Sequence, residues 1–190
     1  MNTNEVIQIF DTLIKLKDRT RHCYTEQGRH ESVAEHSWML AIMAFILREE
    51  FPELDMQKVL DMVLIHDIGE IFTGDIPTFQ KTKEDEEREE ACLIQWLNQL
   101  PSPLKTRMSS LFEEMEDRET KEAKLYKALD QIEAVFQHNR SDISTWLDLE
   151  YDLQLSYGQE TCNPFPFMKE LRQAVKEESL DKINKEGKKK

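Results

Sequence analysis

Cysteine is scarce in this sequence. Cys23, Cys92 and Cys162 are odd in number, far apart and form no CxxC pair. That pattern argues against a disulfide framework or a thiolate zinc site and points to a reducing compartment, the cytoplasm. Long apolar runs are also missing: the longest, Met39–Leu47, falls far short of the roughly 20 residues needed to cross a bilayer. The opening MNTNEVIQIFDTLIKLKDR mixes acids and bases through its apolar positions, so it does not read as a secretory signal. Positive charge is in deficit, with 25 Lys+Arg against 38 Asp+Glu and a net charge of −13. A DNA or RNA polymer needs a basic footprint, so it is not an expected partner, and neither is a membrane. A small phosphorylated ligand held by a metal and a few arginines remains compatible.

Glycine is rare as well, five residues in 190, and β-branched clusters are few. Leu, Glu, Lys, Met, Gln and Ala dominate, which favours helix. The periodicity predicts about seven helices in one domain over residues 1–180, followed by a polar tail over 181–190. The first runs from Asn4 to Leu16 and is followed by an irregular basic stretch, Lys17–His30. The second, Val33–Glu50, is opened by Ser32 with Glu35 three residues on, a capping box. Its middle is apolar all round, as a buried central helix requires. A third helix, capped by Asp55, reaches about Ile68, with Gly69 read as its C-terminal stop. Residues Glu70–Thr82 read as a loop. Helices are predicted at Glu84–Leu100, Leu104–Met115 and Arg118–Arg140, and weaker ones at Trp146–Leu155 and Pro166–Lys176. The fold class is therefore all-α, a single helical bundle.

His66 and Asp67 follow the apolar run Met62–Ile65, where the pattern promises burial. Burying either without a partner costs about 1–3 kcal/mol or more, and a metal satisfies both. Adjacent helical side chains diverge by about 100°, so a ligand pair at i, i+1 suits a bend. For an isolated His-Asp pair, a core His bonded to a carboxylate is the simpler alternative. His36, in an apolar helix, and Asp130, on the inward side of a long one, change that balance. Two imidazoles and two carboxylates neutralise a divalent cation and leave two octahedral positions for water and substrate. The expected cofactor is one divalent ion; Mn²⁺, Co²⁺, Fe²⁺ or Ni²⁺ suits nitrogen ligands better than Mg²⁺.

Three segments carry a resemblance. They are Glu31-Ser-Val-Ala-Glu-His36-Ser, His66-Asp-Ile-Gly-Glu-Ile-Phe-Thr-Gly-Asp-Ile-Pro77 and Lys127-Ala-Leu-Asp130. Together they resemble the HD-domain metal-dependent phosphohydrolases, and more narrowly the bacterial 5′-deoxynucleotidase branch. The likeness runs from about Leu13 to Arg140. It implies an HD-type bundle with His36, His66, Asp67 and Asp130 as metal ligands and Glu70 and Asp75 as catalytic residues. Glu70 also lies i+4 from His66 and i+3 from Asp67, on the ligand face of a continued helical turn.

Substrate binding is expected from the cluster Arg19, Arg21, His22, Arg29 and His30, since Arg suits bidentate phosphate contact. In the resembling family an arginine fifteen residues before the first ligand His binds the phosphate, and Arg21 stands at that distance from His36. A family tryptophan beside the sugar is replaced here by His22, and a family lysine matches Lys81. Trp38, Trp96 and Trp146 read as packing residues, and His138 as a surface or core His. No His lies between Asp67 and His138, which favours one metal over the pair used by binuclear relatives. The resemblance implies hydrolysis of nucleoside, chiefly deoxyribonucleoside, 5′-monophosphates by a homodimer. The apolar segment Asn163–Met168 is a candidate dimer surface. The alternatives are a nucleoside triphosphate or alarmone hydrolase on the same scaffold, and a non-catalytic, metal-stabilised nucleotide-binding or scaffolding domain.

Overall fold

The structure, a computed structural model, describes residues 1–187. Asn2 and Glu5 form a capping box that starts α1 (Thr3–Leu13). The chain then tightens into a 3-10 turn, Ile14–Asp18, and enters an antiparallel hairpin, β1 (Thr20–Tyr24) with β2 (His30–Ser32). In sequence this stretch reads as irregular. The strands are short, and the buried residues of β2 are Glu31 and Ser32, so no apolar alternation announces them. Gly28, at φ 77°, supplies the left-handed residue of the turn.

The predicted capping box between Ser32 and Glu35 starts α2 (Val33–Ile46). Leu40 and Ala44 enter the core, but Trp38, Phe45 and Ile46 are 62%, 62% and 67% exposed. The expectation of burial on all sides of α2, and of a packing role for Trp38, is therefore corrected: an all-apolar helix in the sequence has one open face in the fold. Trp96 and Trp146 do pack inside. Helix α3 (Met56–Ile65) begins at the Asp55 cap. It stops three residues earlier than predicted, and the chain bends through His66–Gly69 into a one-turn helix, α4 (Glu70–Thr73), where a loop was expected.

Gly69 does not act as a left-handed stop, since its φ is −54°. It is small because a Cβ there would lie 2.8 Å from Glu89 Cγ on α5 (Lys83–Leu97). Helix α6 (Ser102–Asp117) ends with Arg118 in the left-handed region, so α7 (Lys121–Arg140) starts after it rather than at it. Two short helices, α8 (Glu150–Ser156) and α9 (Gln159–Cys162), lead to α10 (Pro166–Glu186). Helix α10 carries residues 181–186, placed in a frayed tail by the sequence reading; residues 188–190 lie outside the described chain. No helix among the described residues is long and apolar enough to cross a membrane.

The centre of the bundle is α7. Leu125, Leu129 and Ile132 on it meet Leu40 of α2, Val59, Met62 and Val63 of α3, and Met168 of α10, all essentially fully buried. Each such side chain contributes about 1.5–3 kcal/mol of burial. Phe165 and Met168 belong to this core, whereas Asn163, Pro164 and Pro166 are exposed, so only part of the segment Asn163–Met168 is open to a second copy. Buried Arg172 of α10 donates to Gln154 O and Tyr157 O, both at 2.8 Å, and so caps the carbonyl end of α8. A second cluster, with Leu16, Ile68, Ile71, Trp96 and Met108, supports the bend from below.

Candidate metal centre

The packing of α2, α3 and α7 brings four distant side chains together. His36 Nε2 lies 3.3 Å from His66 Nε2, 3.2 Å from Asp130 Oδ1 and 3.8 Å from Asp67 Oδ2. His66 Nε2 lies 3.0 Å from Asp67 Oδ2 and 3.8 Å from Asp130 Oδ1. The break after Ile65 lets both residues of the His66–Asp67 pair face inward, which a continuous helix forbids. Ligand bonds of about 2.0–2.2 Å place neighbouring donors about 3.0–3.5 Å apart, close to these spacings.

The surroundings set which atoms point inward. His66 Nδ1 donates to Val63 O at 3.0 Å, which leaves Nε2 as the atom facing Asp67. His36 Nδ1 meets Glu133 Oε2 at 2.5 Å, and both side chains are almost wholly buried. Lys127 Nζ donates to Asp130 Oδ2 at 2.7 Å, leaving Oδ1 for the centre. Burial opposes ionisation of Asp67, yet the charge and hydrogen bond of His66 bring its pKa down to about 2. Burial likewise opposes ionisation of Asp130, but Lys127 and His36 hold it well below the usual carboxylate range. Burial and Arg21 disfavour a charged His36, while Glu133 and Asp130 bring its pKa up to about 9. Two lone-pair nitrogens and two carboxylates held by fixed neighbours fit a divalent ion by donor chemistry and by spacing.

The centre forms one wall of a cleft of about 370 Å³. Arg21, His22, Glu70, Asp75 and Lys81, all singled out in the sequence, line the same cleft. Arg21 reaches it from β1, with its guanidinium 3.8 Å from Glu31 and 3.6 Å from Glu133. Burial works against its charge, but those acids and Asp67 raise its pKa. Glu70 opens α4 and is buried, and its Oε2 has no hydrogen-bond partner among the described residues. Burial, then Asp67 and Asp75, push its pKa well above the ordinary carboxylate value. Burial also raises Asp75, against the pull of Arg21 and the His22 backbone N–H. Lys81 is 2.8 Å from Glu89.

Three members of the basic stretch do other work. Arg19 donates to Ile71 O, Arg29 pairs with Glu35, and His30 Nδ1 lies 2.9 Å from Arg21 O. Glu133 is not among the residues expected at the site from sequence, although it lies i+3 from Asp130 beside inward Ile132, a spacing that places it on the same face. Lys127 and Glu31 were quoted there only as parts of motifs. His138 also faces the cleft, where its Nε2 is 2.9 Å from Glu150 Oε1.

Several known proteins are similar to this chain in sequence or in fold. The protein named 5′-deoxynucleotidase HDDC2 from Xenopus laevis is 36% identical over 126 residues, 65% of this chain and 62% of that protein. Its namesake from Homo sapiens is 32% identical over 140 residues, 73% of this chain and 65% of that protein. The match thus spans less than two thirds of the length of either relative. A solved structure described as a predicted metal-dependent phosphohydrolase from Magnetospirillum magnetotacticum MS-1 superposes with a TM-score of 0.78 at 27% identity, covering 94% of this chain and 95% of that one. A model of the HD domain matches residues 13–171, and the chain belongs to the HD domain family.

Proposed function

We propose that this chain is a metal-dependent phosphomonoester hydrolase that acts on nucleoside 5′-monophosphates, deoxyribonucleotides in particular, and releases phosphate. One observation carries the reading: His36, His66, Asp67 and Asp130 converge in the wall of a cleft that also holds Arg21, Glu70 and Asp75. The names of the curated relatives supply the nucleotide class. Those four side chains would hold one divalent cation, and Mn²⁺, Co²⁺, Fe²⁺ or Ni²⁺ suits the donor set better than Mg²⁺. When bound, such an ion polarises a phosphoryl oxygen and makes water a better nucleophile.

The chain's own residues do the rest. Arg21 binds the phosphate oxygens, its charge secured by Glu31 and Glu133. Glu70, made a strong base by its burial and by Asp67 and Asp75, orients the attacking water through its unpartnered Oε2 and in its ionised form takes the proton. Water oxygen bonds to phosphorus as the P–O5′ bond breaks. Asp75, whose burial favours the protonated form, gives its proton to the leaving O5′. His22 and Lys81 would contact the rest of the substrate. The cleft presents only Arg21, Lys81 and Lys127 as lysine or arginine cations among the described residues, and both lysines are already paired with acids. That supports a monophosphate over a triphosphate or an alarmone.

A homodimer, covering the exposed Trp38, Phe45 and Ile46 of α2, belongs to this proposal, as does a reducing cytoplasmic setting for the three free cysteines. A screen of 5′-mono-, di- and triphosphates with added Mn²⁺, Co²⁺ and Mg²⁺ tests the function. Phosphate release from deoxynucleoside monophosphates is the expected result, with Glu70→Ala keeping the metal and losing turnover. Pyrophosphate or triphosphate release as the main product, or full turnover in Glu70→Ala, would refute it.

A further inference from the structure

A second cluster of metal-ligating groups lines the same cleft. We infer that His22, His138 and Glu150 form a separate site for one divalent cation of the zinc, nickel or cobalt class. The three residues come from β1, α7 and α8, and their donor atoms all lie within 4.8 Å of one another. Glu150 Oε1 is 2.9 Å from His138 Nε2 and 3.2 Å from His22 Nε2. Metal–ligand bonds of about 2.0–2.2 Å set neighbouring donors about 3.0–3.5 Å apart, so the cluster closes on an ion with little movement.

A second, independent feature is the orientation of the His138 ring. Its Nδ1 sits 3.0 Å from Ala134 O within α7, where it must donate. Nε2 is therefore the atom turned toward Glu150 Oε1, at 2.9 Å, and an N···O pair this close is bridged by a cation, a proton or a metal ion. His66 has the same arrangement, with Nδ1 on a backbone carbonyl and Nε2 facing an aspartate. Glu150 is held for the purpose: it is 2% exposed, and its Oε2 accepts the Leu147 N–H at 2.7 Å, which leaves Oε1 for the cluster. Trp146 packs edge-on to His138 and Phe79 edge-on to His22, an apolar surround that strengthens coordination. His22 is a quarter exposed, so one position stays open to the cleft.

This site is not the second half of a binuclear centre. His138 follows Asp130 by eight residues on α7, about 12 Å of helix rise, whereas paired catalytic ions sit about 3.5–4 Å apart. An ion here ties the hairpin to α7 and α8.

Metal content decides the matter. The full chain is stripped with a chelator, loaded with Zn²⁺, freed of excess and measured by mass spectrometry. Two ions per chain are expected for the wild type, one each for His138→Gln, Glu150→Gln and Asp130→Asn, and none for His138→Gln with Asp130→Asn. Circular dichroism checks that each variant is folded. If a variant does not fold, an anomalous difference map of the Zn²⁺-soaked wild type replaces it, with a peak expected between His22, His138 and Glu150. One ion per wild-type chain, retained in His138→Gln and lost in Asp130→Asn, means that a proton on His138 fills the role and overturns the inference, as does an empty cluster in the map. One ion per wild-type chain, lost in His138→Gln and retained in Asp130→Asn, would instead count against the His36 centre.

Discussion

Replacing Glu133 with Gln changes one atom type at a position that touches neither substrate nor the centre itself. Glu133 is wholly buried and meets His36 Nδ1 at 2.5 Å, so it selects the tautomer that aims His36 Nε2 inward. Loss of such an outer partner costs about 10–100-fold in metal affinity, or about 1.4–2.7 kcal/mol. The Gln carbonyl, in the place of Oε2, can still accept from Nδ1–H and face Arg21 Nη1 at 3.6 Å, but it carries no full charge to offset that guanidinium or to raise the basicity of His36. Turning the amide over instead forces a proton onto His36 Nε2 and removes it as a ligand. Glu133→Gln is therefore expected near 10-fold weaker and Glu133→Leu near 100-fold. Mn²⁺ titration against a chelator dye, in a His138→Gln background so that a single centre reports, measures the effect. Affinity unchanged within about twofold, in a protein whose circular dichroism is native, would refute the role given to Glu133.

Arg21→Ala is expected to raise the KM for a 5′-monophosphate by about 10–100-fold, the loss of a charged hydrogen-bonded contact worth about 1.5–3 kcal/mol; an unaltered KM removes Arg21 from the phosphate site. Glu122 accepts the Asp55 N–H at 3.0 Å, and Lys58 Nζ is 3.6 Å away; this backbone bond, against a smaller cost of burial, lowers its pKa. Its stabilisation is therefore present in full above the unfolded-state pKa, about 4.3, and is lost as pH falls through the lower folded value. Glu122→Gln should cost about 1 kcal/mol in denaturant unfolding at pH 7, with the gap closing below about pH 4; a gap independent of pH contradicts this. Burial pushes the Cys162 thiol up to about 11, and Cys23 is buried beside Glu31. A thiol reagent at pH 8 should thus modify only half-buried Cys92 quickly; three fast thiols would show that the core is open.

The sequence is most informative where local rules and packing agree. The Ser32–Glu35 capping box, the Asp55 cap and the inward stripe of α7 appear in the fold at the predicted positions, and the four predicted ligands meet. Tertiary context decided the rest. The hairpin was hidden because its buried members are Glu31, Ser32 and Cys23, stabilised by polar partners that a hydropathy pattern does not register. The basic stretch looked like one phosphate cradle, but distances alone separate Arg21, in the cleft, from Arg19 and Arg29, which serve a carbonyl and an acid. Gly69 carried a correct break for a different reason, a contact with Glu89 more than a helix away. Glu133 was readable by its i+3 spacing, whereas Glu150 was not, because only the fold brings α8 against His138.

The most direct test is an anomalous difference map from crystals soaked in Mn²⁺. The account predicts a peak bonded to His36 Nε2, His66 Nε2 and one carboxylate oxygen each of Asp67 and Asp130. An empty centre, or an ion coordinated there without Asp130, would contradict it.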